Sequence, residues 1–254
     1  MKARSASGQR VAEKSVLQSV QRAVAVMREI ARHRRPVSIA ELTTALGLER
    51  TIVHRIVRTL EGEQLVEAAR GGYRLGPMAL LFGNSYLDTL SVRRVALPYL
   101  VDLLERVIHG RPWSASLLIR INDEVSSIET LYNAAAPLDT QLAMGHRFPI
   151  GRAAAGRALL AYMPREQVVQ LVGDEVADEL ADEFEQIREA GGIAFQRGVY
   201  GDMSSICATI FDGSGTPVAV LLIGGLELET HLTPDSAPAR ALRRTADAIA
   251  RALP

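Results

Sequence analysis

Residues 38–66, SIAELTTALGLERTIVHRIVRTLEGEQLV, decide the fold of the N-terminal part of this chain. Ser38 followed three residues later by Glu41 forms a capping box, in which the serine oxygen accepts from the third amide and the glutamate reaches back. A short helix follows, with Ile39, Leu42 and Leu46 inward. Gly47 is placed to stop it, because glycine takes up the left-handed conformation of a helix end without steric cost. A longer helix then runs from about Glu49 to Glu61. Val53, Ile56, Val57 and Leu60 lie on one side of it, and Arg50, Thr51, His54, Arg55, Arg58 and Thr59 on the other.

Upstream, Leu17, Val20, Val24, Met27 and Ala31 repeat at helical spacing, with Ala23 and Ile30 widening the stripe. That helix ends in the cations Arg32, His33, Arg34 and Arg35 before Pro36, as suits a helix C-terminus. Downstream, Leu65–Ala68 and Gly72–Leu75 flank a turn at Arg70-Gly71 and read as a two-stranded wing. Two short helices joined through a glycine turn make a helix-turn-helix, whose second helix can enter a major groove. Arginine can pair with guanine edges or phosphates, and threonine can reach phosphate or a thymine methyl. Arg50, Thr51, His54, Arg55 and Arg58, with Arg70 in the wing, are therefore the candidate DNA contacts. The alternative is a helical packing module built on the same core.

Charge supports the first reading. The 254 residues carry 29 basic and 29 acidic side chains, but Met1–Gly76 holds 14 of the basic and only 7 of the acidic ones, leaving 15 against 22 in the remainder. Such asymmetry suggests that one part meets a polyanion while the other does something else. A hydrophobic fraction of 48% excludes disorder, and the single cysteine, Cys207, excludes a disulfide framework or a Cys-cluster zinc site. No apolar run approaches the roughly 20 residues that span a bilayer, and MKARSASGQR lacks the apolar segment of a signal peptide. These features predict a soluble, cytoplasmic chain associated with the nucleoid, without a membrane partner.

Beyond a connecting helix (residues 78–89), a second helix is expected over about Val92–Val107. Strands follow at Trp113–Ile121 and Val125–Tyr132 around an Asn122-Asp123 turn, with another extended piece near Leu138–Met144. RAAAGRALLAYM after Gly151 is helical, as are Arg165–Val172 and the region of Asp178–Ala190. Met203–Phe211 and Pro217–Gly224 form a hairpin across Asp212–Gly215. A helix over Thr233–Leu253 carries Ala239, Leu242, Ala246 and Ile249. The sum is an α+β fold with one mainly antiparallel sheet.

SVQRAVAVMREIA, SIAELTTALGLERTIVHRIVRTLEGEQLV and GGYRLGPMAL, in this order and spacing, resemble the N-terminal domain of IclR-type transcriptional regulators. GHRFPIGRAAAGRALLA and ICATIFDGSGTPVAVLLIGG continue the resemblance, which covers about residues 15–254. It implies a disordered arm (1–14), a winged helix-turn-helix domain (15–77), a linker helix (78–90) and a GAF-like effector-binding and oligomerisation domain (91–254). It also implies a homodimer, or a dimer of dimers, on double-stranded DNA, and places Thr51, His54, Arg55 and Arg58 on the recognition helix. Where the family often has Ser or Lys before the threonine, this chain has Glu49-Arg50, so base preference does not carry over.

The expected effector pocket lies between the sheet and the loop-helix segment Gly151–Gly156. Read alone, that small-residue segment is either a helix start that receives an anion or a close-packing surface. The resemblance makes Ala154 and Ala155 candidate carboxylate contacts. Alternation puts Ser205, Cys207 and Thr209 on one strand face, a small polar set suited to a ligand chamber. Leu142, Met144 and Leu222 are candidates for apolar lining, with core packing as the alternative for each. Gln196–Asp202 replaces an acidic stretch common in the family, and Leu222 and Ile223 stand where it has serines. The implied effector is a small carboxylic acid, bulkier or more apolar than the keto acids some relatives sense.

Catalysis is not expected. The five histidines are scattered, and there is no HExxH, G-x-S-x-G elbow, P-loop or strand-coupled G-x-G-x-x-G, hence no metal and no cofactor. Cys207 sits mid-strand as an inert thiol, and Asp182-Glu183 reads as solvated helix surface. Two rivals remain: a DNA-binding chain whose C-terminal half only oligomerises, and an enzyme carried by that half.

Overall fold

The computed structural model describes residues 16–136, 145–198 and 202–254. The chain forms two compact units, one extending to Tyr86 and the other comprising Leu87–Pro254. The expected arm at 1–14 and the candidates Leu142 and Met144 lie outside the described residues.

The first unit contains α1 (Gln18–Ala31), α2 (Ile39–Leu46), α3 (Arg50–Gly62) and the hairpin β1 (Val66–Ala69) and β2 (Gly72–Leu75). The capping box at Ser38 is formed. The Ser38 hydroxyl oxygen accepts from the Glu41 amide at 3.3 Å, and Glu41 Oε2 accepts from the Ser38 amide at 2.8 Å. Gly47 ends α2 at φ +61°, a left-handed conformation that requires glycine more than any other residue. Val26, Ile30, Val37, Leu42, Val53, Val57, Leu60 and Val66 make the core. The wing is tied down by paired Val37 and Tyr73 amides and carbonyls, at 2.8 and 2.9 Å. Gly72 permits that approach, since a Cβ there would strike the Val37 carbonyl.

One expectation about α1 is corrected. The helix buries Val26 and Ile30 with Ala23 and Met27 against them, while Leu17, Val20 and Val24 are 70%, 55% and 43% exposed. The apolar positions of α1 thus belong to two faces, and the helical period alone does not separate them.

Helix α4 (Pro77–Thr89) spans the boundary between the units and leaves Leu80, Leu81 and Phe82 exposed. The second unit begins with α5 (Ser91–Leu103), which widens into a π-helical turn at Leu104–Ile108. Its strands are β3 (Trp113–Ile121), β4 (Glu124–Tyr132), β5 (Arg147–Pro149), β6 (Ile193–Gln196), β7 (Ser204–Phe211) and β8 (Pro217–Gly225). They form one antiparallel sheet in the order β5-β4-β3-β8-β7-β6. Helices α6 (Ala154–Leu160), α7 (Arg165–Val172), α8 (Asp174–Glu179) and α9 (Ala181–Glu189) precede β6, and α10 (Ala237–Ala252) closes the chain. The acidic region expected as a single helix is broken at Leu180 into α8 and α9.

Both sheet faces are covered. On one, Ala115, Leu117, Ile206, Ile210 and Leu221 pack against α5 and α10, with Leu242, Ala246 and Ile249 fully or nearly fully buried as the periodicity predicts. On the other, Leu118, Cys207 and Val220 pack against α6–α9 through Ala155, Ala158, Val168, Phe184 and Ile187. The central strands are therefore buried on both sides, and the architecture is α+β with three layers.

Candidate DNA interface and ligand cavity

On α3 the 3.6-residue period sends Val53, Val57 and Leu60 into the core and leaves Arg50, Thr51, His54, Arg55 and Arg58 exposed. The amphipathic pattern of the sequence is therefore realised as one cationic outer face. Its basic side chains differ from others nearby. Arg35 is bound to Glu41 at 2.6 Å, Arg74 to Glu67 at 2.6 Å and Arg32 to Glu29 at 3.0 Å. Arg50, Arg55, Arg58 and the exposed Arg70 at the wing turn make no side-chain ion pair with any described residue. An exposed guanidinium not neutralised internally is available to phosphates and base edges.

Glu41 performs the opposite task. Arg35 and the Ser38 amide and hydroxyl hold its carboxyl down at about 2. It stays ionised, locks the start of α2, and sets the helix-turn-helix in place without contributing a free charge.

In the second unit, a cavity of about 420 Å³ lies between the sheet and the segment leading into α6. Ser114 and Leu118 of β3, Ser205 of β7, and Leu222 and Gly224 of β8 furnish the sheet wall. Phe148 and Pro149 of the edge strand β5 border it, Arg152, Ala153, Ala154 and Ala155 furnish the wall facing the sheet, and Gln196 of β6 closes one flank. Of the sequence-derived candidates, Ala154, Ala155, Ser205 and Leu222 thus meet at one cavity. Cys207 and Thr209 share the face of Ser205 but sit farther along β7, outside the cavity lining. Thr209 donates to the Ala158 carbonyl at 3.0 Å and fastens the sheet to α6. Cys207 is fully buried, and desolvation pushes its thiol up to about 12 despite the opposing influence of Arg157 and Ser205. Ile223 faces the opposite core, so only Leu222 of that substituted pair alters the cavity.

Arg157 organises the facing wall. Its Nε donates to Glu183 at 2.7 Å, its Nη1 to the Arg152 carbonyl at 2.6 Å and to Gln196 Oε1 at 3.2 Å, and its Nη2 to the Phe195 carbonyl at 3.3 Å. Glu183 is therefore a structural ion-pair partner, which corrects its reading as mere solvated surface. Gln196 Oε1 also accepts from the Ala154 amide at 3.2 Å, so the first amide of α6 already has an internal acceptor. Arg152, Arg157 and Gln196 were not singled out from the sequence. Arg157 and Gln196 draw their roles from pairing across 26 to 42 residues, although the replaced acidic stretch beginning at Gln196 was a pointer.

Among the described residues, no group of three or more His, Cys, Asp or Glu side chains is arranged to hold a metal ion. No helix among them is long and apolar enough to cross a membrane.

Comparison with known proteins agrees with both units. Residues 19–70 match the IclR helix-turn-helix domain, and residues 84–251 match the bacterial transcriptional regulator IclR C-terminal domain. The chain is 30% identical to the HTH-type transcriptional regulator TtgV of Pseudomonas putida, over 67% of this chain and 64% of that protein, so that match spans just under two thirds of the relative. It is 30% identical to the glycerol operon regulatory protein of Streptomyces coelicolor, over 93% of this chain and 96% of that one. Among solved structures, an IclR homologue of Microbacterium hydrocarbonoxydans, complexed with 4-hydroxybenzoate, has the same fold, with a TM-score of 0.70 and 22% identity over 93% of this chain and 99% of that one. The two sequence relatives are regulators by name, not enzymes. The chain belongs to the IclR family and is a DNA-binding transcriptional regulator.

Proposed function

We propose that the chain is a homodimer, or a pair of such dimers, that reads a palindromic operator and answers to a small organic acid, as a cytoplasmic protein working on chromosomal DNA. The observation that carries the DNA half is the face of α3, where Arg50, Arg55 and Arg58 have no ion-pair partner among the described residues and lie above a fully buried Val53 and Val57. Thr51 and His54 complete the surface offered to base edges, and Arg70 reaches phosphate from the wing. Two-fold operator symmetry follows from two-fold protein symmetry. The exposed apolar residues Leu17, which precedes α1, Val20 and Val24 of α1, and Leu80, Leu81 and Phe82 of α4 are the surfaces we assign to contact with a second copy.

The sensing half rests on the 420 Å³ cavity, a size that suits a small ligand. Ala154, Ala155, Ser205 and Leu222 are the proposed contacts within it; Cys207 and Thr209 lie farther along the same face of β7, where Thr209 fastens the sheet to α6. Leu142 and Met144 remain proposed apolar contacts. The domain limits follow the same scheme: reading head at 15–77, linker at 78–90, sensor at 91–254. The 4-hydroxybenzoate complex of the Microbacterium homologue supports an acid as the effector class.

The test is selection of duplexes from a random library by the full chain, followed by DNA titrations with and without organic acids. Enrichment of inverted repeats and an acid-dependent shift in affinity are expected. By linkage, DNA must then change acid affinity by the same factor. Selection of no sequence contradicts the operator reading. Acid-independent DNA binding leaves a C-terminal half that only oligomerises.

A further inference from the structure

We propose that Arg152 is the carboxylate anchor of this cavity, and that the ligand is consequently a monoanionic acid with an apolar body; this rests on the effector reading above. The argument starts from the donors that are already used. The Ala154 amide gives its hydrogen to Gln196 Oε1, and Arg157 directs its Nε and both terminal nitrogens at Glu183, two backbone carbonyls and Gln196. The Ala154 amide and four of the five N–H groups of Arg157 are thus already engaged, and Arg157 does not line the cavity.

Arg152 does. Its side chain is exposed at the wall facing the sheet and has no hydrogen bond or ion pair with any described residue. It is also the one ionisable side chain among the described residues that line the cavity. A cationic ligand would meet no compensating carboxylate there. A dianion would bring one charge more than the walls can match, at a substantial desolvation cost. Charge balance therefore selects a single negative charge. Leu118, Phe148, Met203 and Leu222 define the rest of the molecule, because they offer hydrocarbon rather than donors to its body. The guanidinium fork suits a carboxylate in the bidentate geometry, which lysine cannot reproduce.

The experiment is calorimetric titration of the full chain with benzoate, phenylacetate and 3-methylbutanoate, each against its own amide, and with phthalate as a dianion. The wild type is expected to favour at least one monoacid over its amide and over phthalate, with an affinity that falls as salt rises. Arg152→Gln should weaken that acid by about tenfold or more, leave the amide unchanged and abolish the salt dependence, and Arg152→Lys should restore part of the affinity. Because Arg152 is exposed, unchanged thermal unfolding checks that the variants fold. Wild-type acid affinity in Arg152→Gln would overturn the anchor while leaving the effector reading intact, as would equal binding of acid and amide by the wild type. A wild type that binds no acid of the panel removes the effector reading and the anchor together.

Discussion

Gly156 sits where α6 crosses the backbone of Ile150, and a single added carbon there would run into the Ile150 carbonyl. That crossing sets the distance between the wall segment carrying Arg152 and the helix carrying Ala154 and Ala155. Gly156→Ala should therefore destabilise the second unit by about 1–3 kcal/mol, the usual cost of overpacking, and weaken any acid held in the cavity. Denaturant unfolding of the full chain measures the first effect, and a wild-type midpoint would contradict the close approach. Cys207 gives an independent test on the other side of the same helix. With its thiol raised to about 12 and no exposed surface, it should resist iodoacetamide at pH 8 and be alkylated once the chain is unfolded. Rapid labelling of the native protein would show that α6 does not cover β7. At this scale the sequence was only partly legible. Alternation placed Ser205 and Cys207 on one face correctly, but it carries no information about where along β7 the cavity ends. Arg157 and Gln196 acquire their roles from partners brought in by the fold.

Among the elements, α2 is the one most fully dictated by local sequence, with its box at Ser38 and its stop at Gly47. Ser38→Ala should cost about 1 kcal/mol through loss of the cap. The Glu41 carboxyl titrates at about 2 in the folded chain instead of near its ordinary 4.5. Its ionised form therefore stabilises the fold above pH 4.5, and that contribution is lost as pH falls toward 2. The stability gap between wild type and Glu41→Gln should close over this interval, and a gap that is constant from pH 6 to pH 2 would show that the carboxylate contributes nothing. Elements with long periodic patterns or clear turns, such as α3, α10 and the β7–β8 hairpin, could be read directly. The three-residue β5 and four-residue β6 could not, because so few residues show no alternation, and they are strands only because β4 and β7 lie beside them. In α1, a helix with apolar residues on two faces presents one merged stripe to a periodicity reading, and burial alone separates them.

For the whole molecule, the division of charge in the sequence corresponds to a division of labour. The basic excess of the first 76 residues is not spent on internal ion pairs along α3, whereas Arg157 in the second unit is consumed by Glu183 and neighbouring carbonyls. Cations without an ion-pair partner among the described residues of the first unit suit a surface for a polyanion. Under the proposal above, a cavity whose one guanidinium is unpaired among the described residues takes a ligand that brings its own negative charge. The most direct measurement is a fluorescence anisotropy titration of a duplex selected by the protein itself, repeated across a range of salt, with wild type, Arg55→Ala and Arg58→Ala. Weaker binding by each variant is predicted, with a salt slope shallower by about 1 for each phosphate contact removed, while thermal unfolding stays unchanged. Wild-type affinity and wild-type slope in both variants would contradict α3 as the recognition helix.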